Sequence, residues 1–457
     1  MYNVTIFSSL FQYAGGKNDY ICIFAGKPFV TTSSPPPFGS RQKTDIYAQN
    51  ETVLVFFRRY LAGFSMKMCL NCIFLFSILQ FSSKTHIIAS TEMKGDEGKM
   101  NRVFNFAAGP SMLPAAALEK AAKEMLDYNG TGMSVMEMSH RAKGYIEIFD
   151  HTVALLKELM QIPENYEVLL LQGGATGQFA AIPMNLLKTS ADYVDSGNFA
   201  HGALVEAKKY GNINVVASSK EDNYNHIPVL DKSKFNPNAD YFYITTNNTI
   251  FGTRYTELPD VGNVPLVADM SSNILSQPYD VSKFGVIYAG AQKNIGPAGV
   301  VVVIVRKDLL GNAAPNTPKI FDWAKQVDAG SMINTPSTYP IYMAGLCMEW
   351  LKAQGGVEAI YKVNCEKAQL LYDYLDESKM FHGTAQKDSR SIMNVTFNTG
   401  DADLDAAFVK YAASKGLTNL KGHRLVGGMR ASIYNAMPVE GVKALVDALK
   451  AFEMENK

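Results

Sequence analysis

From residue 100 onward the polar and apolar positions alternate between two periods. Strand-like segments occur at 168–171, 192–195, 214–217, 241–245, 266–268, 286–288 and 300–305. Most are short runs of Val, Ile, Leu, Tyr and Phe, the pattern of strands buried on both faces. Between them lie segments with helical spacing: 115–128, entered through Pro114, then 146–160, 178–187 with Pro183 as a possible kink, and 203–210. Strands separated by helices predict an α/β fold, a mostly parallel sheet covered by helices. After about residue 355 the rhythm changes. A long helix at 357–375 is followed by a strand at 391–398, a helix at 404–415, a strand at 429–434 and a helix at 439–453. This predicts a smaller C-terminal α+β domain, with a large domain over 100–355 and the small one over 356–457.

Residues 1–99 follow neither rhythm. They contain Ser33-Ser-Pro-Pro-Pro37 and an apolar run at 68–81 behind Arg58, Arg59 and Lys67. Fourteen residues are short for a membrane span, which needs about 20. The run resembles a signal core but lies far from the N-terminus. Cys69 and Cys72 have the spacing of a redox or metal pair, with no second pair and no βαβ context to support it. We expect 1–99 to be an extension outside the working fold. Met100 directly precedes the patterned sequence, and Glu97-Gly-Lys99 implies purine-rich codons that resemble a ribosome-binding site, so translation is expected to begin at Met100.

Composition narrows the function. Lys and Arg number 43, as do Asp and Glu. A neutral chain argues against a nucleic-acid protein acting through one large basic face. The balance is uneven: 1–99 carries ten basic and six acidic residues, a net of +4, so the remainder carries −4. Five Cys at this length make no disulfide framework and suggest a reducing, cytoplasmic setting. His151, His201, His226 and His382 lack metal-ligand spacing. Cys347, Cys365 and Trp350 read as core residues.

The chemistry centres on Lys293, in the turn Tyr288-Ala-Gly-Ala-Gln-Lys-Asn-Ile-Gly-Pro-Ala-Gly299 between two apolar strands. Alone, a lysine in a Gly/Ala turn reads as a surface residue. Asp269 changes that reading. It ends the strand 24 residues earlier, and in an open α/β sheet ligands bind at strand ends. A Schiff-base lysine with a carboxylate on the pyridinium nitrogen is the pair a pyridoxal phosphate site needs, although Asp269 could equally cap a helix. Gln172-Gly-Gly-Ala-Thr-Gly-Gln178 joins a strand to a helix and supplies free backbone N–H groups for an anion. It is neither a P-loop nor a dinucleotide fingerprint.

Five segments carry a specific resemblance: Ala107-Ala-Gly-Pro-Ser-Met-Leu-Pro114, Ser134-Val-Met-Glu-Met-Ser-His-Arg141, Gly173-Gly-Ala-Thr-Gly-Gln-Phe179, the Lys293 turn, and Lys421-Gly-His-Arg-Leu-Val-Gly-Gly-Met-Arg430. Residues 100–457 resemble the phosphoserine aminotransferase family, class V aminotransferases of pyridoxal phosphate fold type I. Residues 1–99 have no part in it.

The resemblance implies that pyridoxal 5′-phosphate is the cofactor, that Lys293 binds it covalently and moves protons, and that Asp269 pairs with its ring nitrogen. Phe199 takes the ring-stacking position where the family often has Trp, and Thr249 would bond the ring hydroxyl. Ala175, Thr176 and Gln292 would hold the cofactor phosphate, with Asn334 and Thr335 reaching it from the other subunit of a homodimer. Arg430 would bind the substrate α-carboxylate. His140, Arg141, His423 and Arg424 would bind the substrate phosphate or the glutamate side chain, the last two from the partner. Two positions depart from the family: Thr176 replaces an Arg of some members, and Ala108 a Ser.

The implied reaction is transamination between L-glutamate and 3-phosphohydroxypyruvate in serine biosynthesis, giving O-phospho-L-serine and 2-oxoglutarate. The related 4-phosphohydroxythreonine step of pyridoxine biosynthesis is also implied. The alternatives are another class V enzyme, or a membrane-tethered, non-catalytic protein anchored by 68–81.

Overall fold

The computed structural model describes residues 102–456. The Pro run, the 68–81 segment, the Cys69–Cys72 pair and the proposed start at Met100 lie outside the described residues. So does the boundary at residue 99.

Strand β1 (Phe104–Asn105) is followed by α1 (Ala115–Lys123) and α2 (Lys143–Met160). Then come β2 (Tyr166–Leu171), α3 (Gly174–Leu186), β3 (Ser190–Asp195), α4 (Asn198–Ala207), β4 (Asn212–Ser218) and β5 (Phe242–Thr245). Strands β6 (Leu266–Asp269), β7 (Val286–Gly290) and β8 (Val301–Arg306) complete the main sheet. Among the described residues that sheet has seven strands, in the order β2-β8-β7-β6-β5-β3-β4. Only β8 runs against its neighbours. The expected α/β architecture is therefore present.

Side chains alternate across each strand and feed two cores. Ala268, Ile287 and Ile304 face the α2 side, and Val267, Tyr288 and Val303 face α3 and α4. A third core surrounds Leu371, Val395, Phe408 and Leu449. It is built by α7 (Gly356–Glu377), β9 (His382–Gly383), β10 (Asn394–Asn398), α8 (Ala402–Ser414), β11 (Leu417–Thr418), β12 (Met429–Ser432) and α9 (Val439–Glu455). Strands β9, β10 and β12 make an antiparallel three-stranded sheet, the expected α+β pattern.

Several predicted elements change. Two helices have no counterpart in the sequence reading: α5 (Trp323–Asp328) and the 16-residue α6 (Thr338–Ala353). Helix α6 buries Ile341–Met348 as a continuous run, so it has no polar stripe to give a helical period. Helix α3 begins at Gly174 rather than 178 and runs through Pro183. Helix α4 begins at Asn198 rather than 203 and ends before Tyr210. The 115–128 helix stops at Lys123. Cys347 is buried, whereas Cys365 and Trp350 are half-buried at core margins. Strand β1 pairs with β11 across more than 300 residues, bringing the N-terminal segment onto the third core.

Candidate active site

The site lies where the parallel strands end. Strand β7 finishes at Gly290, and the chain turns tightly before re-entering as β8, with Ala291 N donating to the Val300 carbonyl at 2.9 Å. Lys293 projects from this turn. The N-terminal segment braces it: Ser111 N donates to the Gln292 carbonyl at 3.0 Å and Ser111 Oγ to the Lys293 carbonyl. Gly109 makes that approach possible. Its φ is +140°, and a Cβ there would sit 3.3 Å from Cγ of both Gln292 and Lys293.

Lys293 Nζ donates to Thr249 Oγ1 at 2.7 Å and stands 5.4 Å from the centroid of the Phe199 ring. Burial pulls the amine from its ordinary 10.5 down to about 8, with the nearby Arg430 adding to the fall and Asp269 opposing it. A lysine in this state supplies neutral, nucleophilic amine near neutral pH. Phe199 occupies the first turn of α4 and is 37% exposed, with its ring beside the amine.

Asp269 is the last residue of β6 and is buried. Its Oδ1 accepts from Ser271 N at 2.9 Å, a local turn bond rather than a helix cap. Ser271 Oγ in turn accepts from Gly290 N at 3.1 Å, tying the acid to the lysine-bearing strand. Ser271 carries little sequence signal beyond its place two residues after Asp269.

The Gly-rich segment is the start of α3. Gly173 and Gly174 have φ of +93° and +63°, and the first amide bonded in the helix is Gly177, to the Gly173 carbonyl at 3.2 Å. The amides of Gly174, Ala175 and Thr176 precede it, at the positive end of the helix dipole. Gln292 lies beside Lys293 on the turn.

Arg430 sits on β12 and reaches the Thr249 carbonyl through Nη1 at 3.5 Å. Its Nε is buried without a partner. A buried guanidinium N–H without an acceptor is costly, which fits a position that receives an anion. His423 lies beside Arg430 of its own chain, and burial, Arg430 and Arg424 all lower its pKa. Arg424 is exposed.

Two pairs are not joined to Lys293, Asp269 or Arg430 by any described bond. His140 is half-buried and Arg141 exposed, ahead of α2. Asn334 and Thr335 are exposed and held by Gln172: Asn334 Nδ2 donates to Gln172 Oε1 at 2.6 Å, and Gln172 Nε2 to the Thr335 carbonyl at 3.2 Å.

Taken together, an activated amine, a stacking face, a buried acid, free helix amides and a partnerless Arg N–H suit a planar, phosphorylated aldehyde with a carboxylate-bearing substrate above it. Among the described residues no group of His, Cys, Asp or Glu could hold a metal. No helix among them is long and apolar enough to cross a membrane.

These features define a class V aminotransferase: the sequence pattern described as Aminotransferase class-V matches residues 103–445. A phosphoserine aminotransferase of Bacillus cereus is 53% identical over 360 residues, covering 78% of this chain and all of the relative. A solved structure concerning radiation damage of the Schiff base in phosphoserine aminotransferase is 50% identical, with a TM-score of 0.75 over 78% of this chain and 99% of that one. A pyridoxal phosphate-bound phosphoserine aminotransferase from Trichomonas vaginalis is 40% identical, with a TM-score of 0.74 over 76% of this chain and all of that one. The chain belongs to the phosphoserine aminotransferase family of class V aminotransferases.

Proposed function

We propose that this enzyme binds pyridoxal 5′-phosphate and transfers the amino group of L-glutamate to 3-phosphohydroxypyruvate, giving O-phospho-L-serine and 2-oxoglutarate. The observation that carries this reading is the Lys293 amine, held at about 8 between the Phe199 ring and the Thr249 hydroxyl at the strand ends. When bound, the cofactor supplies an aldehyde and a ring that accepts electrons from the substrate Cα.

The chain's own groups then divide the work. Lys293 Nζ takes the proton from Cα of the amino donor and returns one at Cα of the keto acceptor. Asp269 would pair with the ring nitrogen, Phe199 would stack on the ring and Thr249 would bond the ring hydroxyl. The amides of Ala175 and Thr176, the Thr176 hydroxyl and Gln292 hold the cofactor phosphate. Arg430 binds the α-carboxylate through its unused N–H groups. His140, Arg141, His423 and Arg424 receive the substrate phosphate or the glutamate γ-carboxylate.

The exposed Asn334–Thr335 pair supports a homodimer in which each subunit completes the other's phosphate site. The separate third core supports a division into domains at about residue 355. The same site would accept the four-carbon phosphorylated keto acid that leads to 4-phosphohydroxythreonine. Two free thiols among the described residues, Cys347 and Cys365, accord with a cytoplasmic setting.

Purified protein supplied with the cofactor should absorb visible light, lose that band on borohydride treatment, and turn over glutamate with 3-phosphohydroxypyruvate. Turnover confined to unphosphorylated keto acids would reject the substrate assignment.

A further inference from the structure

Behind Asp269, on the side of the sheet away from α2, lies a buried column of tyrosines. Asp269 pairs in register with Tyr288 across β6 and β7, and strand alternation puts both side chains on one face. Tyr243, on β5, shares that face. The Tyr243 and Tyr288 hydroxyls meet at 2.6 Å, and neither residue has any exposed surface. The Tyr193 ring stacks on Tyr243 at 4.6 Å, and its hydroxyl meets that of Tyr241 at 2.8 Å.

Hydrogen counting leaves one hydrogen of the pair to place. Two phenols bring two hydrogens, and the contact between them uses one. In a fully buried setting the second needs an acceptor. The Asp269 carboxylate is the in-register neighbour of Tyr288 on that face, and its charge reaches the hydroxyls of both Tyr288 and Tyr243. Either hydroxyl can be the donor in that contact. The arrangement that sends the remaining hydrogen toward the acid is Tyr243 donating to Tyr288 and Tyr288 facing Asp269, whose links would polarise one another toward the carboxylate. Oδ1 is occupied by Ser271 N, so a donor from behind would fix the rotation of the carboxyl group and leave acceptor capacity for the ring nitrogen.

We propose that Tyr288, backed by Tyr243, is a positioning residue that aims the Asp269 carboxylate at the cofactor's ring nitrogen. This rests on the proposed role of Asp269. The tyrosines touch neither cofactor nor substrate; they act through the acid alone.

The test compares pyridoxal 5′-phosphate with its analogue carrying CH in place of the ring nitrogen, each titrated into cofactor-free protein by absorbance. Wild-type protein should favour the natural compound by at least tenfold, the size of one charge-assisted hydrogen bond. Tyr288→Phe should cut that preference about three- to tenfold, Tyr243→Phe about twofold, and the double variant no more than Tyr288→Phe alone. Both variants losing affinity equally for the two compounds, or keeping the full preference, would overturn the proposal. Should Tyr288→Phe fail to fold, Tyr243→Phe decides on the same criterion. A wild-type protein without any preference removes the role of Asp269 first, and this inference with it.

Discussion

Lys293 Nζ and Thr249 Oγ1 are hydrogen-bonded at 2.7 Å, joining a turn after β7 to the segment that follows β5. The bond holds the amine away from bulk water, and burial with Arg430 lowers it to about 8. In cofactor-free protein, labelling of Lys293 by a small amine reagent should therefore titrate near 8, and Arg430→Gln should move the midpoint upward. A midpoint at the ordinary 10.5 would contradict the site's electrostatics.

The same amine makes a stability prediction. Its pKa is lower in the folded chain than in the unfolded one, so between about 8 and 10.5 the unfolded chain binds more protons and stability rises with pH. Below 8 the full penalty of burying the charge is present. Lys293→Met removes that penalty and should make the cofactor-free protein roughly 1–3 kcal/mol more stable at pH 7, with the gain fading above 10. Denaturant unfolding at several pH values measures it, while the variant should have no transaminase turnover. Equal stability of the two proteins at pH 7 would count against the buried charge.

Lys293, Asp269 and the Gly-rich segment were legible because their signal is local, whereas Phe199, Thr249, Gln292, Arg430, His423 and Arg424 were reached only through the resemblance. A strand ending in Asp269, a small-residue turn at Lys293 and a Gly-rich strand–helix junction each show in a few neighbouring letters. What the sequence concealed depends on register and distant pairing. Nothing in the letters sets Tyr288 opposite Asp269, or β1 beside β11. Helix α6 was hidden because it is apolar nearly all round. The early start of α3 was hidden because Gly173 and Gly174, both at positive φ, read as a loop. The His140–Arg141 and Asn334–Thr335 pairs were likewise found only through resemblance, and no described bond joins them to the lysine.

Arg430 should dominate recognition of the amino donor. Its buried Nε has no partner, and a carboxylate would satisfy it together with a second N–H. Arg430→Gln should raise KM for glutamate about 10- to 100-fold, the worth of one or two hydrogen bonds to a charged group. Arg430→Lys should not restore it, since a lysine lacks the planar fork. Steady-state kinetics with glutamate varied is the measurement, and an unchanged KM in both variants would remove Arg430 from the donor site.

The loop carrying His423 and Arg424 depends on Gly422. Gly422 N donates to the Gly428 carbonyl at 2.8 Å, and a Cβ at 422 would fall 1.9 Å from the Gly427 oxygen. The Gly428 oxygen would also lie only 2.8 Å from that Cβ, and both obstacles are backbone, so the loop must open. Gly422→Ala should leave cofactor capture by Lys293 intact and weaken binding of the phosphorylated substrate at least tenfold. Cofactor titration beside substrate kinetics separates the two effects. Loss of both together would place the loop's role in cofactor binding instead.

Far from the chemistry, Lys367 supports the segment that braces the site. It has no exposed surface, and its Nζ donates to the carbonyls of Ile433, Tyr434 and Met437 at 3.0, 2.8 and 3.0 Å. Three carbonyls can accept all three hydrogens of an ammonium here, whereas burial pulls this amine down to about 7. The carbonyl partners, which no described bond gives Lys293, are what Lys367→Met removes. The segment it holds reaches the active centre twice: Tyr434 Oη donates to the Ala108 carbonyl at 2.8 Å, and Asn435 N to Asn294 Oδ1 at 3.0 Å, beside Lys293. Lys367→Met keeps most of the volume but strips three buried carbonyls of their donor. With roughly 1 kcal/mol or more for each orphaned group, the variant should lose about 3 kcal/mol in denaturant unfolding. Because the strain falls on the Tyr434–Asn435 segment, the folded fraction should also bind the cofactor more weakly. A loss below about 1 kcal/mol would mean that water or a shifted backbone replaces the lysine, and that it does not hold the segment in place.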